Sequence, residues 1–460
     1  HLTYQWSPHP DTILQSVKKL PPGHLMWLDA SHRLETSAYY DLPYDQPLRP
    51  ISEEDAIQAL QRHLTLAVER QLVSDVPVGA FLSGGLDSSS LVALAQRVAY
   101  EPQRKCFSIG FQGEANPQGE GRVDDLPYAQ RVAKAFDIDL HTLYVGPEMT
   151  QHLEKMLYHL DEPQADFAPL HVYALCQMAR QHGIKVLLSG TGGDDLFTGY
   201  RRHQALFYEP AWAWLPRPLR TLLRQQTGHL PTLSTLGRRV QKAFQYADRP
   251  PRERIAAAFH CLPPEHILGL YTPAIRKQLA ALPFSAPLMD TLAKLPPDTP
   301  PINQMLYLEG KHFLPDHNLN YTDKMSMATG VEVRVPFLDP DLIRFATSLP
   351  IHLKQTPTQS KWILKRAMEP YLPHDVIYRP KTGFGVPMRR WLKVELRDVV
   401  EDVLSPRNLQ QRGIFDPTAV YKLLEQDRQG HLDGSYLIFS LMVFELWMRI
   451  FVDRKTAWFS

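Results

Sequence analysis

One stretch limits the possible folds of this chain more than any other. Val78-Gly79-Ala80-Phe81-Leu82 is an apolar run without helical period, and it leads into Ser83-Gly84-Gly85-Leu86-Asp87-Ser88-Ser89-Ser90. Leu91, Leu94 and Ala95 then follow at helical spacing. The change of period across two glycines predicts strand, tight turn and helix. Such a turn exposes backbone N–H groups. Glycine lets the backbone approach an anion, serine adds hydroxyl donors, and the helix N-terminus contributes the positive end of its dipole. The stretch therefore reads as a phosphate cradle, with a plain serine-rich helix cap as the alternative. It lacks the lysine of the G-x-x-x-x-G-K-[ST] loop and carries Asp87 instead. A carboxylate repels a bare polyphosphate, so Asp87 calls for a hard cation such as Mg²⁺ between it and the phosphate oxygens.

These residues resemble the pyrophosphate loop of ATP-pyrophosphatases, enzymes that split ATP between its α- and β-phosphates. Several families share that loop, so the reaction partner must be sought elsewhere in the chain.

A capped helix from Ser52 to about Leu72, with Ile57, Leu60, Leu64 and Val68 on one stripe, delivers the chain to this strand. Further strands are expected at Lys105–Phe111, Leu140–Val145 and Lys185–Ser189. A glycine-rich insertion reaches to about Arg122, and helices are expected around Tyr128–Phe136, Gln151–Leu160 and Leu170–His182. This alternation predicts an α/β fold with a parallel, doubly wound sheet, and ligands at the carboxyl ends of its strands. The fourth strand ends in a second glycine loop, Ser189-Gly190-Thr191-Gly192-Gly193-Asp194-Asp195-Leu196-Phe197-Thr198-Gly199-Tyr200. Two such loops over one crevice would present Asp87 and Asp194 to one or two metal ions, the alternative being a surface turn with solvated carboxylates.

Bulk properties exclude several classes. At 460 residues and 44% hydrophobic content the chain can bury two cores, and a formal net charge of +1 gives no electrostatic case for nucleic acid or an anionic membrane. Cys106, Cys176 and Cys261 form no C-x-x-C pair, which suits a reducing cytoplasm without a zinc or disulfide framework. The most apolar stretch, Tyr436 to Val452, contains Glu445 and Arg449, so it reads as a buried helix rather than a membrane span. Trp212, Trp214, Arg217, Arg220 and Arg224, with Arg238-Arg239 beyond, read as a helix with a solvated basic face.

Two later stretches are less bland. Residues Asp323 to Asp339 alternate charge with apolar side chains, which leaves buried charge unless it is paired. Lys361 and then Arg379-Pro380-Lys381-Thr382-Gly383-Phe384-Gly385 set cations beside flexible backbone. A lysine on a glycine hinge can close over a polyphosphate, although Lys381 alone also reads as an ordinary solvated lysine.

Taken together, the Ser83–Ser89 loop, the Leu188–Tyr200 loop, the Gly330–Asp339 stretch and the Lys381 loop resemble the asparagine synthetase B family. The resemblance runs from near Tyr4 to the last helix. It implies ATP and Mg²⁺, a small-molecule carboxylate converted to an acyl-adenylate with loss of pyrophosphate, and attack by ammonia to give an amide and AMP. By the same resemblance Ser83, Gly84, Gly85, Ser88 and Ser89 would hold pyrophosphate, and Asp87 and Asp194 would hold magnesium. Leu82, Ile109, Ser189 and Gly190 would line the nucleotide site, and Lys381 with Lys361 would serve adenylation. Residues 1–45 look like the last strands of a glutaminase domain with an N-terminal cysteine nucleophile, which this sequence does not show. Residues 50–202 would form the nucleotide-binding core and residues 203–460 its helical continuation. The expectations are a glutaminase domain or subunit in the full-length protein, free ammonia as the donor for this chain, and a compatible homodimer. Thr191 stands where asparagine-forming members carry glutamate and β-lactam-forming relatives a tyrosine, so aspartate is expected to be a weak acceptor.

Overall fold

The chain enters through a two-stranded antiparallel ribbon, β1 (His24–Leu28) paired with β2 (Leu34–Ala38). A computed structural model describes residues 1–111, 125–228, 235–261, 263–379 and 388–454. The expected insertion up to Arg122 and the loop bearing Lys381 lie outside these residues.

Ser52 adopts extended backbone and accepts a hydrogen bond from the Asp55 N–H, which starts α1 (Glu53–Leu72). The chain then alternates strand and helix: β3 (Val78–Phe81), α2 (Leu86–Val98), β4 (Arg104–Phe111), α3 (Leu126–Ala135) and β5 (Ile138–Val145). Two helices, α4 (Leu153–Leu160) and α5 (Ala168–Gln181), precede β6 (Val186–Leu188). Two short helices, α6 (Gly193–Leu196) and α7 (Arg201–Tyr208), open the helical part that follows.

The sheet is parallel throughout, in the order β5-β4-β3-β6 with a fifth strand, β7 (Glu332–Arg334), beyond β6. The sequence reading missed β7. A strand signal is present there, since Val331, Val333 and Val335 alternate with Glu332 and Arg334 at a period of two, and the segment pairs with Val186–Leu188. It also answers the charge problem noted there: Glu332 pairs with Arg334 at 2.6 Å, and Asp339 with Arg70 at 2.8 Å.

Successive strand residues face opposite sides of the sheet. Cys106, Val186 and Leu188 enter one core with Leu60 and Leu64 of α1 and Leu91 and Leu94 of α2. Phe107, Ile109 and Leu187 enter the other, with Leu157 of α4, Cys176 of α5 and Leu441 and Met442 of the helix Ser435–Phe451. That last helix is buried as the sequence implied, its Glu445 paired with Arg412 at 2.8 Å and Arg449 at 3.2 Å. A third core joins Tyr4, Trp6 and Tyr44 of the N-terminal segment to Ile302–Leu308. No described helix is long and apolar enough to cross a membrane.

Candidate functional site

The connections leaving β3 and β6 run in opposite directions along the sheet, which opens a crevice between their carboxyl ends. Both glycine loops lie there. In the first, Gly84 takes a left-handed backbone (φ +66°), and a Cβ at this position would lie 2.4 Å from the Ala129 nitrogen. Only glycine lets the loop pack this closely on α3. Ser83 and Ser88 share a hydroxyl–hydroxyl bond of 3.0 Å, and the Ser83 N–H donates to Ser88 Oγ at 3.2 Å. Their hydroxyls and the start of α2 therefore face one opening.

The second loop nests into the first. A Cβ on Gly190 would sit 2.9 Å from the Ser88 nitrogen, and one on Gly193 would sit 2.6 Å from Asp87 Cγ. These glycines set the distance between the loops. The result brings Asp87, in the first turn of α2, and Asp194, in the first turn of α6, to one point. Lys361 Nζ contacts both carboxylates. Its side chain is 7% exposed, against 19% for Asp87 and 24% for Asp194, so the cation sits beneath the two acids. Burial alone would lower its pKa. The two carboxylates, Asp194 and then Asp87, outweigh burial and hold it charged, well above the usual lysine range.

The expected nucleotide residues fall in two groups. Leu82, Ser83, Gly85, Asp87, Ser88, Ile109, Ser189 and Gly190 line a cleft of about 2750 Å³, together with Thr191 and Lys361. Gly84 and Ser89 do not line it: Gly84 faces α3, and the Ser89 hydroxyl is wholly buried. Thr191 Oγ1 bonds Ser189 Oγ at 2.9 Å, a neutral hydroxyl pair at the cleft wall.

Further cleft residues escaped the sequence reading. Asp195 is buried, and burial, with Glu309 and Asp194 adding repulsion, pushes its carboxyl up to about 8. The Tyr200 hydroxyl approaches both its oxygens, at 3.4 and 3.5 Å, and takes a hydrogen bond from Asn318 at 3.2 Å. Arg202 lies against the rings of Tyr200, Phe259 and Phe313 while its Nε donates to the buried Glu309 at 2.5 Å. Arg379, a cation the sequence did single out, pairs with Asp125 at 2.8 Å beside Gly85. Asp195 could have been read from its place beside Asp194. Glu309 stands more than a hundred residues from Arg202 and gave no local signal.

Such a five-stranded parallel sheet, with two acidic glycine loops at adjoining strand ends, is of the ATP-pyrophosphatase fold. The sequence profile described as asparagine synthase matches residues 59–449, and the chain belongs to that family of ATP-using carbon–nitrogen ligases. It is 30% identical over 98% of its length to a putative glutamine-hydrolysing asparagine synthetase of Mycobacterium tuberculosis, of which the match spans 67%. Glutamine-hydrolysing asparagine synthetase 1 of Bacillus subtilis is 28% identical, with 99% of this chain and 68% of that protein covered. The amidase chyE of Penicillium rubens is 26% identical over 92% of this chain and 66% of its own length.

Proposed function

We propose that the chain adenylates a small-molecule carboxylate with release of pyrophosphate, and that ammonia then attacks the acyl-adenylate to give an amide and AMP. The observation that carries this reading is the convergence of Asp87 and Asp194 on one cation position beside the Ser83–Ser88 cradle. The donor set fits Mg²⁺: two hard carboxylates converge on one point, where the Lys361 ammonium stands in for the cation. Magnesium bound there would neutralise charge on the phosphate oxygens. Ser83, Gly85 and Ser88 offer the departing pyrophosphate hydroxyl and backbone donors at the N-terminus of α2, and Gly84 keeps that turn tight. Ser89, with its hydroxyl buried, supports the turn from behind. Leu82, Ile109, Ser189 and Gly190 form the walls against which the nucleotide lies. Lys361 orients Asp87 and Asp194, and Lys381 is assigned the cation that closes over the phosphates.

The nitrogen donor is free ammonia at this site, supplied by a glutaminase domain or subunit, as the names of the relatives suggest. Residues 50–202 act as the nucleotide core, residues 203–460 as its helical continuation, and the reaction belongs to the cytoplasm. Aspartate is a weak acceptor at this site, which suits a larger or less polar carboxylate better. Thr191 presents a hydroxyl already paired with Ser189, which cannot balance an α-ammonium as a carboxylate would.

The test is pyrophosphate release from ATP with ammonia and a panel of carboxylates, in the parent, Asp87→Ala and Asp194→Ala. Release should depend on Mg²⁺ and on an acceptor and should vanish in both variants while their circular dichroism stays native. Near-normal release by either variant would sink the metal assignment, and ATP binding without turnover on any acceptor would favour a non-catalytic nucleotide-binding module.

A further inference from the structure

The cleft that holds the two glycine loops continues past them to the start of α5, where Asp166 lines it. The Asp166 side chain is 37% exposed. Its Oδ1 accepts the Ala168 N–H at 3.0 Å, which caps the helix, and its Oδ2 lies 3.2 Å from His317 Nε2. The His317 ring is fixed in turn: it stacks on Phe313 at 4.8 Å with the planes 14° apart, and its Nδ1 is 2.8 Å from Asn318 Oδ1. A carboxylate offers about four lone-pair sites, so each Asp166 oxygen keeps one open.

Charge balance sets Asp166 apart. Among the described residues that line the cleft, Asp87 and Asp194 contact Lys361, Asp125 pairs with Arg379, Glu209 with Arg254, Glu265 with Arg249 and Asp433 with Arg389. Asp195 is pushed up to about 8 by burial and is uncharged at neutral pH. Asp166 faces neither lysine nor arginine. Burial opposes its ionisation, but the His317 ring and the Ala168 N–H outweigh burial and hold the carboxyl below the usual carboxylate range. The second histidine in its field, His171, is pushed down to about 4 by burial and stays neutral. A histidine partner carries a full charge only toward the acid side of neutrality. At neutral pH an ionised carboxylate therefore stands in the cleft wall without a fixed cation to balance it, and such a site is completed by a cation on the ligand.

We propose that Asp166 binds a cationic nitrogen of the acceptor, so that the carboxylate activated here belongs to an amino acid whose ammonium stands further from the reacting carboxyl than in aspartate. The inference rests on the adenylation reading above and names its acceptor class. Beside the acidic loop, Thr191 offers an ammonium only a neutral hydroxyl. From Asp195 to Asp166 the cleft wall is made of Tyr200, Asn318 and His317 in turn, so the nitrogen received at Asp166 ends a longer chain than that of aspartate. Aromatic rings suited to an ammonium stand nearby. Tyr321 meets the His317 ring edge-on at 5.3 Å and Phe111 meets His171 edge-on at 6.0 Å, and both line the cleft. Burial raises the Tyr321 hydroxyl, and the charges of Asp166 and Asp195 add to that, so this ring lies within reach of both ends of the acceptor path.

The experiment compares the parent with Asp166→Asn, which keeps the shape and the helix cap but not the charge. Calorimetry follows the binding of ω-aminocarboxylates, from β-alanine to ε-aminocaproate, and of unsubstituted carboxylates of equal length, with Mg²⁺ and α,β-methylene-ATP present. Pyrophosphate release follows their turnover with ATP and ammonia. At one chain length or more the parent should bind the amino form about tenfold or more tighter than its unsubstituted counterpart. Asp166→Asn should bring that ratio to about one, with the loss in KM rather than kcat. Selective binding that the variant loses, without pyrophosphate release from any acceptor, would uphold the subsite and sink the adenylation reading. Equal binding of both forms by the parent at every length, or none, overturns the subsite with no variant needed, and so does a preference that Asp166→Asn retains.

Discussion

Lys361 holds a left-handed backbone (φ +56°) just before the helix Trp362–Met368, a conformation that costs a non-glycine residue about 1 kcal/mol. Its contacts with Asp87 and Asp194 offset that strain. Lys361→Met should therefore lose about 3 kcal/mol in denaturant unfolding, because it leaves two carboxylates facing each other without a cation. Mg²⁺ should restore stability in this variant more than in the parent. Asp195 gives a pH test of the same neighbourhood. Its carboxyl titrates near 8 in the fold against about 3.9 in the unfolded chain. The folded state thus keeps a proton that the unfolded state gives up, so this contribution is complete below about pH 3.9 and is lost as pH rises through about 8. Asp195→Asn cannot ionise, and its Tm should fall less than the parent's across that interval. At Thr191, introducing glutamate should raise kcat/KM for aspartate. Efficient asparagine formation by the parent would mean that another residue supplies the charge.

At the scale of elements, the glycines of the second loop decide how closely β6 and β3 bring their acids together. Gly193→Ala places a Cβ against Asp87 and should displace the loops by a few tenths of an ångström or more. We expect kcat/KM for pyrophosphate release to fall about 100-fold with little change in the unfolding midpoint, since misplacement near reacting groups is felt first in rate. This part of the molecule was legible because its signals are local. Apolar runs gave β3, β4 and β5 to within about two residues, Ser52 gave the start of α1, and both loops announced themselves by composition. The contacts that complete the site were not legible for the opposite reason. Lys361 reaches Asp87 across 274 positions of sequence, a pairing that no local pattern announces. The π-helical stretch Glu309–Leu319 has a proline, Pro315, inside it, which in the sequence reads as a break.

Over the whole molecule, one core runs from Phe107 and Ile109 in the sheet to Leu441 and Met442 in the last helix, so the sheet and the C-terminal helices share an interior. Leu441→Ala should cost about 3 kcal/mol. It should shift far-ultraviolet and tryptophan-fluorescence transitions together, as a core shared by both parts predicts. The same wiring bears on biogenesis. Among the described residues the outer edge of β6 is paired by Glu332–Arg334, so that edge hangs open from the moment Leu188 leaves the ribosome until Arg334 follows. At ordinary translation speeds that interval is on the order of ten seconds. Throughout it the nascent chain displays unpaired backbone along a short Val-Leu-Leu strand, a template for mispairing with its neighbours. A polysome crowded with such chains is where this protein is most exposed to aggregation, and slower synthesis between those two points would lengthen the exposure.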